Sequence, residues 1–199
     1  YTLKLKLDCI ISPGDRPIGA MIGPALEAKD VLQILQNQNG SSDLMRKALS
    51  LSGIIFEAQN WCPHGYGFEY ASDILRSGRA YEKFREIVEA QGGDPNIKTD
   101  DIPTASYIEA ITAKTDGVVY GIDSAAVSTV AREAGAPGDK TAGVKILVRR
   151  GEKFKKGDKL YEIHSSSEGR LTRAIKLTLD IVSAIPLYIS CSLVALSLA

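Results

Sequence analysis

Cysteine and histidine, the residues that most often announce a chemistry, are scarce in this sequence. The three cysteines, Cys9, Cys62 and Cys191, are odd in number and far apart. No CxxC pair occurs, which argues against a disulfide framework or a zinc site and fits a reducing compartment. Two histidines, His64 and His164, leave little room for histidine-centred catalysis. Neither charge sign is in excess, because 24 Lys plus Arg balance 24 Asp plus Glu. A nucleic-acid partner and an anionic membrane surface therefore lose their usual electrostatic signature. Neither GxGxxG nor GxxxxGK(S/T) is present, so no nucleotide-binding fingerprint is met.

What is present reads as a folded chain with unusual ends. The 199 residues suffice for one large domain or two small ones around a real core. Thr2 to Leu7 alternates, with Leu3, Leu5 and Leu7 on one face and Lys4 and Lys6 on the other. That is the pattern of a half-buried strand, here continued to about residue 11, with no preceding turn or signal peptide. A chain that opens inside a strand is expected to be a piece of something longer. After Asp180 no charged residue appears, and Ile185 to Ala199 is rich in Leu, Ile, Val, Ala and Ser. A membrane span needs roughly 20 apolar residues. Pro186, four serines and the lack of flanking basic residues favour instead a terminal strand packed on the last domain.

Between these ends the pattern shifts once. Pro24 suits the first position of a helix whose apolar side carries Leu26, Val31, Ile34 and Leu35 and which Gly40 ends. Ser41 or Ser42 caps a second helix with Met45, Ala48, Leu49, Ser52, Ile55 and Phe56 in helical period. Two more helices are expected over 68–77 and 79–91. The stretch 92–103, with paired Gly, two Pro and Thr99-Asp100-Asp101, is the best linker in the chain. Beyond it, 106–122 and 144–164 read as strands, with a helix from Ser124 to Glu133 and another from Glu168 to Val182. The fold class is therefore α+β, with domains at 1–103 and 104–199: a helix-rich part, then an α+β part.

Four motifs invite a function, and each has a plainer reading beside it. Trp61-Cys62-Pro63-His64 looks like half of a thioredoxin-type centre, but Gly65 stands where a resolving Cys belongs. Gly143 to His164 forms a hairpin with Gly151 and Gly157 six apart, similar to the half-repeat of biotinyl and lipoyl carriers. Asp139-Lys140-Thr141 approximates their modified lysine, yet a helix and loop precede it rather than a strand. A structural barrel-sandwich hybrid is the plainer reading, with Lys153, Lys155, Lys156 and Lys159 as its solvated face. His164-Ser165 suggests nucleophilic catalysis, but neighbours on a strand point to opposite faces, and Ser165 to Ser167 are expected to cap the next helix. The glycine-rich loop from Ser12 to Asp30 could cradle an anion at a helix N-terminus. The plainer reading is a packing turn between strand and helix.

That same loop carries a resemblance. Pro17-Ile18-Gly19 followed by Gly23-Pro24-Ala25-Leu26-Glu27 resembles a signature of the thymidine/pyrimidine-nucleoside phosphorylase family. Glu89 to Gly93, Gly117-Val118-Val119 with Ile122-Asp123, Gly135-Ala136, and the hairpin ending Ile163-His164 follow in the family's order. Pro24 and Asp30 are similar to its archaeal, AMP phosphorylase-like branch. The resemblance implies a homodimeric cytoplasmic enzyme in which phosphate, as co-substrate and without a cofactor, attacks C1′ of the sugar. It implies that the reacting groups lie upstream of a position matching Tyr1, so no catalytic, substrate-binding or metal residue is assigned here. Thymidine or another pyrimidine nucleoside is the alternative substrate, and a carrier or binding module is the alternative class. Related bacterial enzymes hold potassium through groups that would align with Ile18, Met21 and Asp30, and the resemblance leaves that ion site incomplete here. No nucleic acid and no membrane partner is expected.

Overall fold

The structure is a computed structural model that describes residues 9–12, 14, 16–38, 40–178 and 181–186. The alternating segment Thr2–Leu7, Cys191 and the apolar tail past Pro186 lie outside the described residues. Cys9 to Ser12 do not form strand, contrary to the expected strand to residue 11, and Ile11 is fully exposed.

The helix-rich part opens with β1 (Met21–Ile22) and α1 (Pro24–Leu35). Proline at the first helical position presets φ, and Glu27 reaches back to accept the Gly23 N–H at 3.0 Å. The buried side of α1 is Ala25, Leu26, Asp30 and Leu32, whereas Val31 is exposed. The helix stops at Leu35, five residues before Gly40. Asn37 there takes φ 56° and donates its side-chain amide to the Leu75 carbonyl at 3.3 Å. A left-handed asparagine, with a long-range bond to hold it, ends this helix in place of glycine.

Helix α2 (Ser42–Ala58) and α3 (Gly67–Arg76) cross at a pair of glycines. A Cβ added at Gly53 would sit 2.5 Å from the Gly67 carbonyl carbon, and one at Gly67 would sit 2.3 Å from the Gly53 oxygen. Helix α4 (Arg79–Ala90) completes the group. The stretch 92–103 does not run free. Ile102 is buried with Ala25 and Leu32, Ile97 packs beside them, and Arg85 of α4 holds the Pro95 carbonyl and the Asn96 side chain.

The rest of the chain builds two antiparallel sheets around one core. β2 (Tyr107–Thr112), β4 (Gly143–Ile146) and β6 (Lys159–Ser165) join β1 in the order β1-β4-β6-β2. β3 (Gly117–Ile122) lies between β5 (Lys153–Phe154) and β7 (Val182–Pro186). α5 (Ser124–Ala134) and α6 (Glu168–Lys176) cover the first sheet. Val119, Val127, Val130, Val144, Ile163, Ala174 and Ile181 are sealed between these layers. The architecture is α+β. β1 comes from the helix-rich part, so the four-stranded sheet spans both halves of the sequence.

The last helix is shorter than its pattern. It ends at Lys176, and Val182 begins β7 instead of closing the helix. Burying Ile181 and donating the Asp123 N–H to the Ile181 carbonyl at 3.0 Å draw the chain onto the edge of β3. β7 pairs with the edge of β3, and the rest of the terminal strand expected over Ile185 to Ala199 lies outside the described residues. Among the described residues no helix is long and apolar enough to cross a membrane.

Gly53→Ala is expected to lower stability by about 1–3 kcal/mol, the usual cost of overpacking a tight contact. Thermal melts of the variant and the parent chain check it; an unchanged melting temperature would show that α2 and α3 separate freely.

Candidate functional site

The loop between Arg16 and Gly23 is held from below by a buried carboxylate. Asp30 is 1% exposed. One of its oxygens accepts the Ser41 N–H at 2.7 Å and the other accepts the Ser41 hydroxyl at 2.5 Å. The Ser41 Oγ in turn accepts the Ala20 N–H at 2.9 Å. Gly19 donates its N–H to Asp43 at 3.3 Å, and the Ala20 carbonyl accepts from Ile146 at 2.7 Å. The loop is thus tied to α1, to α2 and to the four-stranded sheet at once. Ser41 flanks α2, but its hydroxyl goes to Asp30 and makes no cap bond to the helix.

The anion-cradle reading of this loop fails at α1, where the packing turn prevails. Pro24 has no N–H, Gly23 donates to Glu27, and Ala25 donates to the Lys140 carbonyl at 2.9 Å. Gly23 has φ 123°, and a Cβ there would stand 2.3 Å from the Ala142 oxygen. Of the three groups that align with potassium ligands, Asp30 accepts one bond from Ser41 at each carboxylate oxygen, and Met21 stands opposite Lys145 in the sheet. Among the described residues no three His, Cys, Asp or Glu side chains cluster as a metal site requires.

A cleft of about 340 Å³ opens on the other side of the loop. Its walls are the Arg16–Ala20 segment, the first turn of α2, and the ends of β3 and β4 with Val148 to Arg150. Ile122, Ile146 and Val148 contribute its apolar lining, and Arg16, Arg149 and Arg150 its cationic lining. The Arg150 guanidinium also lies over the Tyr120 ring, 5.9 Å from its centroid. Sequence reading missed this cleft, because residues 130 positions apart line it. The doublet Arg149-Arg150 was the visible signal.

The remaining motifs resolve as structure. Burial, and then the Glu57 charge, push the Cys62 thiol up, the opposite of what a redox thiolate needs. Trp61 stacks on Phe56 at 5.5 Å. Lys140 sits in a turn after α5 and not at a hairpin tip. Asp139 orders that turn by accepting from the Thr141 N–H at 2.9 Å and from Ser166. Burial alone would raise the Asp139 carboxyl, but the bonds from Ser166 and Thr141 outweigh it and bring the pKa to about 2. Lys153, Lys155, Lys156 and Lys159 are exposed.

His164 and Ser165 face opposite sides of β6, as alternation requires. The Ser165 hydroxyl donates to the Ala134 carbonyl at 2.7 Å, and Ser167 is the residue that caps α6. His164 is 6% exposed, and neither ring nitrogen meets a hydrogen-bond partner among the described residues. Burial lowers its pKa; nearby Glu162 opposes the shift, while Lys145 and Lys29 reinforce it.

Residues 118–183 match the pyrimidine nucleoside phosphorylase C-terminal domain. The AMP phosphorylase of Pyrococcus abyssi is 52% identical over 171 residues, 86% of this chain and 34% of that protein. The AMP phosphorylase of Hyperthermus butylicus is 47% identical over 175 residues, 88% of this chain and 35% of its own length. That of Methanosarcina mazei is 44% identical over 175 residues, 88% of this chain and 34% of its own length. The chain belongs to the phosphorylase family these proteins share. It spans about a third of the length of these relatives. The family signature Pro17 to Glu27 thus corresponds to the clamped loop, β1 and the start of α1. Gly23 answers a close backbone contact, Gly19 a positive φ of 80°, and Glu27 the cap.

Two outcomes are expected. Asp30→Ala strips Ser41 of its acceptor for two bonds, each worth about 1.5–3 kcal/mol when the acceptor is charged. Chemical denaturation should show a loss of that order, and a loss below 0.5 kcal/mol, roughly the error of such fits, would dismiss the clamp. For His164 the unfolded chain binds a proton more readily than the fold does. Its contribution is therefore complete above the ordinary value of 6.5 and declines as pH falls below it. Melting temperature should drop between pH 7.5 and pH 5, and His164→Phe should flatten that slope.

Proposed function

We propose that this chain is the C-terminal part of a pentosyl phosphorylase that splits a nucleoside 5′-monophosphate with inorganic phosphate. AMP is the favoured substrate. The phosphate oxygen bonds to C1′, the N-glycosidic bond breaks, and the base leaves with a proton, giving adenine and ribose 1,5-bisphosphate. The observation that supports this reading is 52% identity to an AMP phosphorylase over 86% of the chain.

Such a reaction passes through an oxocarbenium-like state and needs a cationic and hydroxyl cradle for phosphate and a donor for the departing base. In this reading those groups belong to the part of the protein that precedes Tyr1, and no catalytic, substrate-binding or metal residue is placed in this chain. Residues 1–103 are then the end of a central α/β domain. Residues 104–199 are the C-terminal domain, for which the two sheets around one core support barrel-sandwich-hybrid-like topology. A homodimer in the cytoplasm, without a cofactor, completes the proposal. The match of residues 118–183 to a pyrimidine nucleoside phosphorylase domain favours the second reading, in which the substrate is thymidine or another pyrimidine nucleoside.

The full-length product is expected to release adenine from AMP in the presence of phosphate and to leave thymidine intact. Chromatography of free base checks both. Thymidine cleavage with AMP untouched would reverse the substrate assignment. Adenine release by the 199-residue chain alone would refute the placement of the reacting groups.

A further inference from the structure

We infer that the basin between the end of α5, the turn that follows it and the exposed side of α6 binds a diphosphate group. The inference does not depend on which reaction the longer protein catalyses.

The balance of donors and acceptors around the basin carries the argument. Arg132, Lys140, Arg170 and Arg173 line it together with two carboxylates, Glu133 and Asp139. Both carboxylates are occupied. Glu133 accepts from Arg173 at 2.6 Å. Asp139 accepts the Thr141 N–H at 2.9 Å, the Ser166 N–H at 3.2 Å and the hydroxyls of both residues. Carbonyls that end α5 are occupied too: those of Ala131, Arg132 and Ala134 accept from the Ala136 N–H, the Gly135 N–H and the Ser165 hydroxyl. The cations are not. Among the described residues, the side chains of Arg132, Lys140 and Arg170 make no hydrogen bond or ion pair, and all three residues are exposed.

Three cations lining one space without an acceptor call for an anion. Arg170 and Arg173 stand one turn apart on α6, and Arg132 joins them from α5. Guanidinium groups present donors in a fixed fork that matches phosphate oxygens, which favours phosphate over a simple point anion. Exposed ion pairs are individually weak, because water and salt screen them. A single phosphate therefore gains little here, and a ligand that engages both helices at once gains more. At about 680 Å³ the basin has room for linked phosphates and lies within the range of small-molecule sites, roughly 300–1,000 Å³. The Asp139 bonds hold the turn, and the Arg173–Glu133 pair ties α6 to α5. The backbone frame is thus preformed, and only side chains lose order on binding.

The test titrates the 199-residue chain with pyrophosphate and, separately, with inorganic phosphate in metal-free buffer, following backbone amide shifts by NMR. Pyrophosphate is expected to bind saturably, with shifts centred on Arg132, Gly135, Lys140, Ser166 and Arg170. It should bind about fivefold or more tighter than inorganic phosphate. Arg132→Ala with Arg170→Ala should weaken it about tenfold or more. The melting temperature should not change, because neither side chain has a partner to lose. If the double variant does not fold, Arg170→Glu alone should give a loss of the same order. Lys153→Ala, which removes an exposed cation elsewhere, should leave binding unchanged. ADP tells the two sources of a diphosphate apart: tighter binding than pyrophosphate assigns the nucleoside diphosphate, weaker binding or none assigns the inorganic ion, and each supports the site. Absence of saturation, shifts centred elsewhere, equal binding by the folded basin variants, or an equal loss from Lys153→Ala would overturn the site. Equal affinity for pyrophosphate and inorganic phosphate would overturn the diphosphate assignment.

Discussion

Met21 and Ile22 lie directly against Lys145 and Val144, and the two halves of the chain meet along this seam. The approach is backbone on backbone. A Cβ at Gly143 would come within 2.1 Å of the Ile22 oxygen, and one at Gly23 within 2.3 Å of the Ala142 oxygen. Only glycine tolerates that spacing, and Gly23 also needs the positive φ that side chains disfavour. The seam adds a strand to the four-stranded sheet, sets the start of α1, and lets Ala25 donate to Lys140. Everything that the loop before β1 does follows from where this seam holds it.

The second constraint is a charge placed where charges are costly. Burying Asp30 would be prohibitive without donors, so it recruits the backbone and hydroxyl of Ser41, and through that hydroxyl the Ala20 amide. The result links α1, α2 and the loop in one short relay. It also explains why Ser41, which looks like a helix cap, does not cap. His164 shows the reverse case. Its imidazole is buried without a hydrogen-bond partner among the described residues, so the fold favours the neutral form.

Much of this was legible in one dimension because short-range patterns have short-range causes. Four helices of the first part stand within a few residues of their expected spans, and Ser124 to Ala134 ends at Gly135 as its glycine implied. Glu27 of the family signature answers a contact four residues away, at the Gly23 N–H. Errors arose where a distant group decided. Asn37 ended α1 because Leu75 offered a carbonyl. The last helix stopped early because β3 drew Ile181 inward. Val31 proved exposed and Leu32 buried because Ile102 returned to cover that side of α1.

Sequence by itself determined the α+β class, the order of the helices, the family resemblance and the dismissal of Cys62 and Ser165 as reactive centres. Those conclusions rest on periodicity, capping chemistry and spacing, which act along the chain. Tertiary structure alone decided that Asp30 serves the loop, that Gly23 of the signature answers a close backbone contact, and that Arg16, Arg149 and Arg150 line one cleft. The physical reason is the same in each case: burial and charge proximity depend on distance in space, and residues far apart in a sequence carry no local mark of being neighbours.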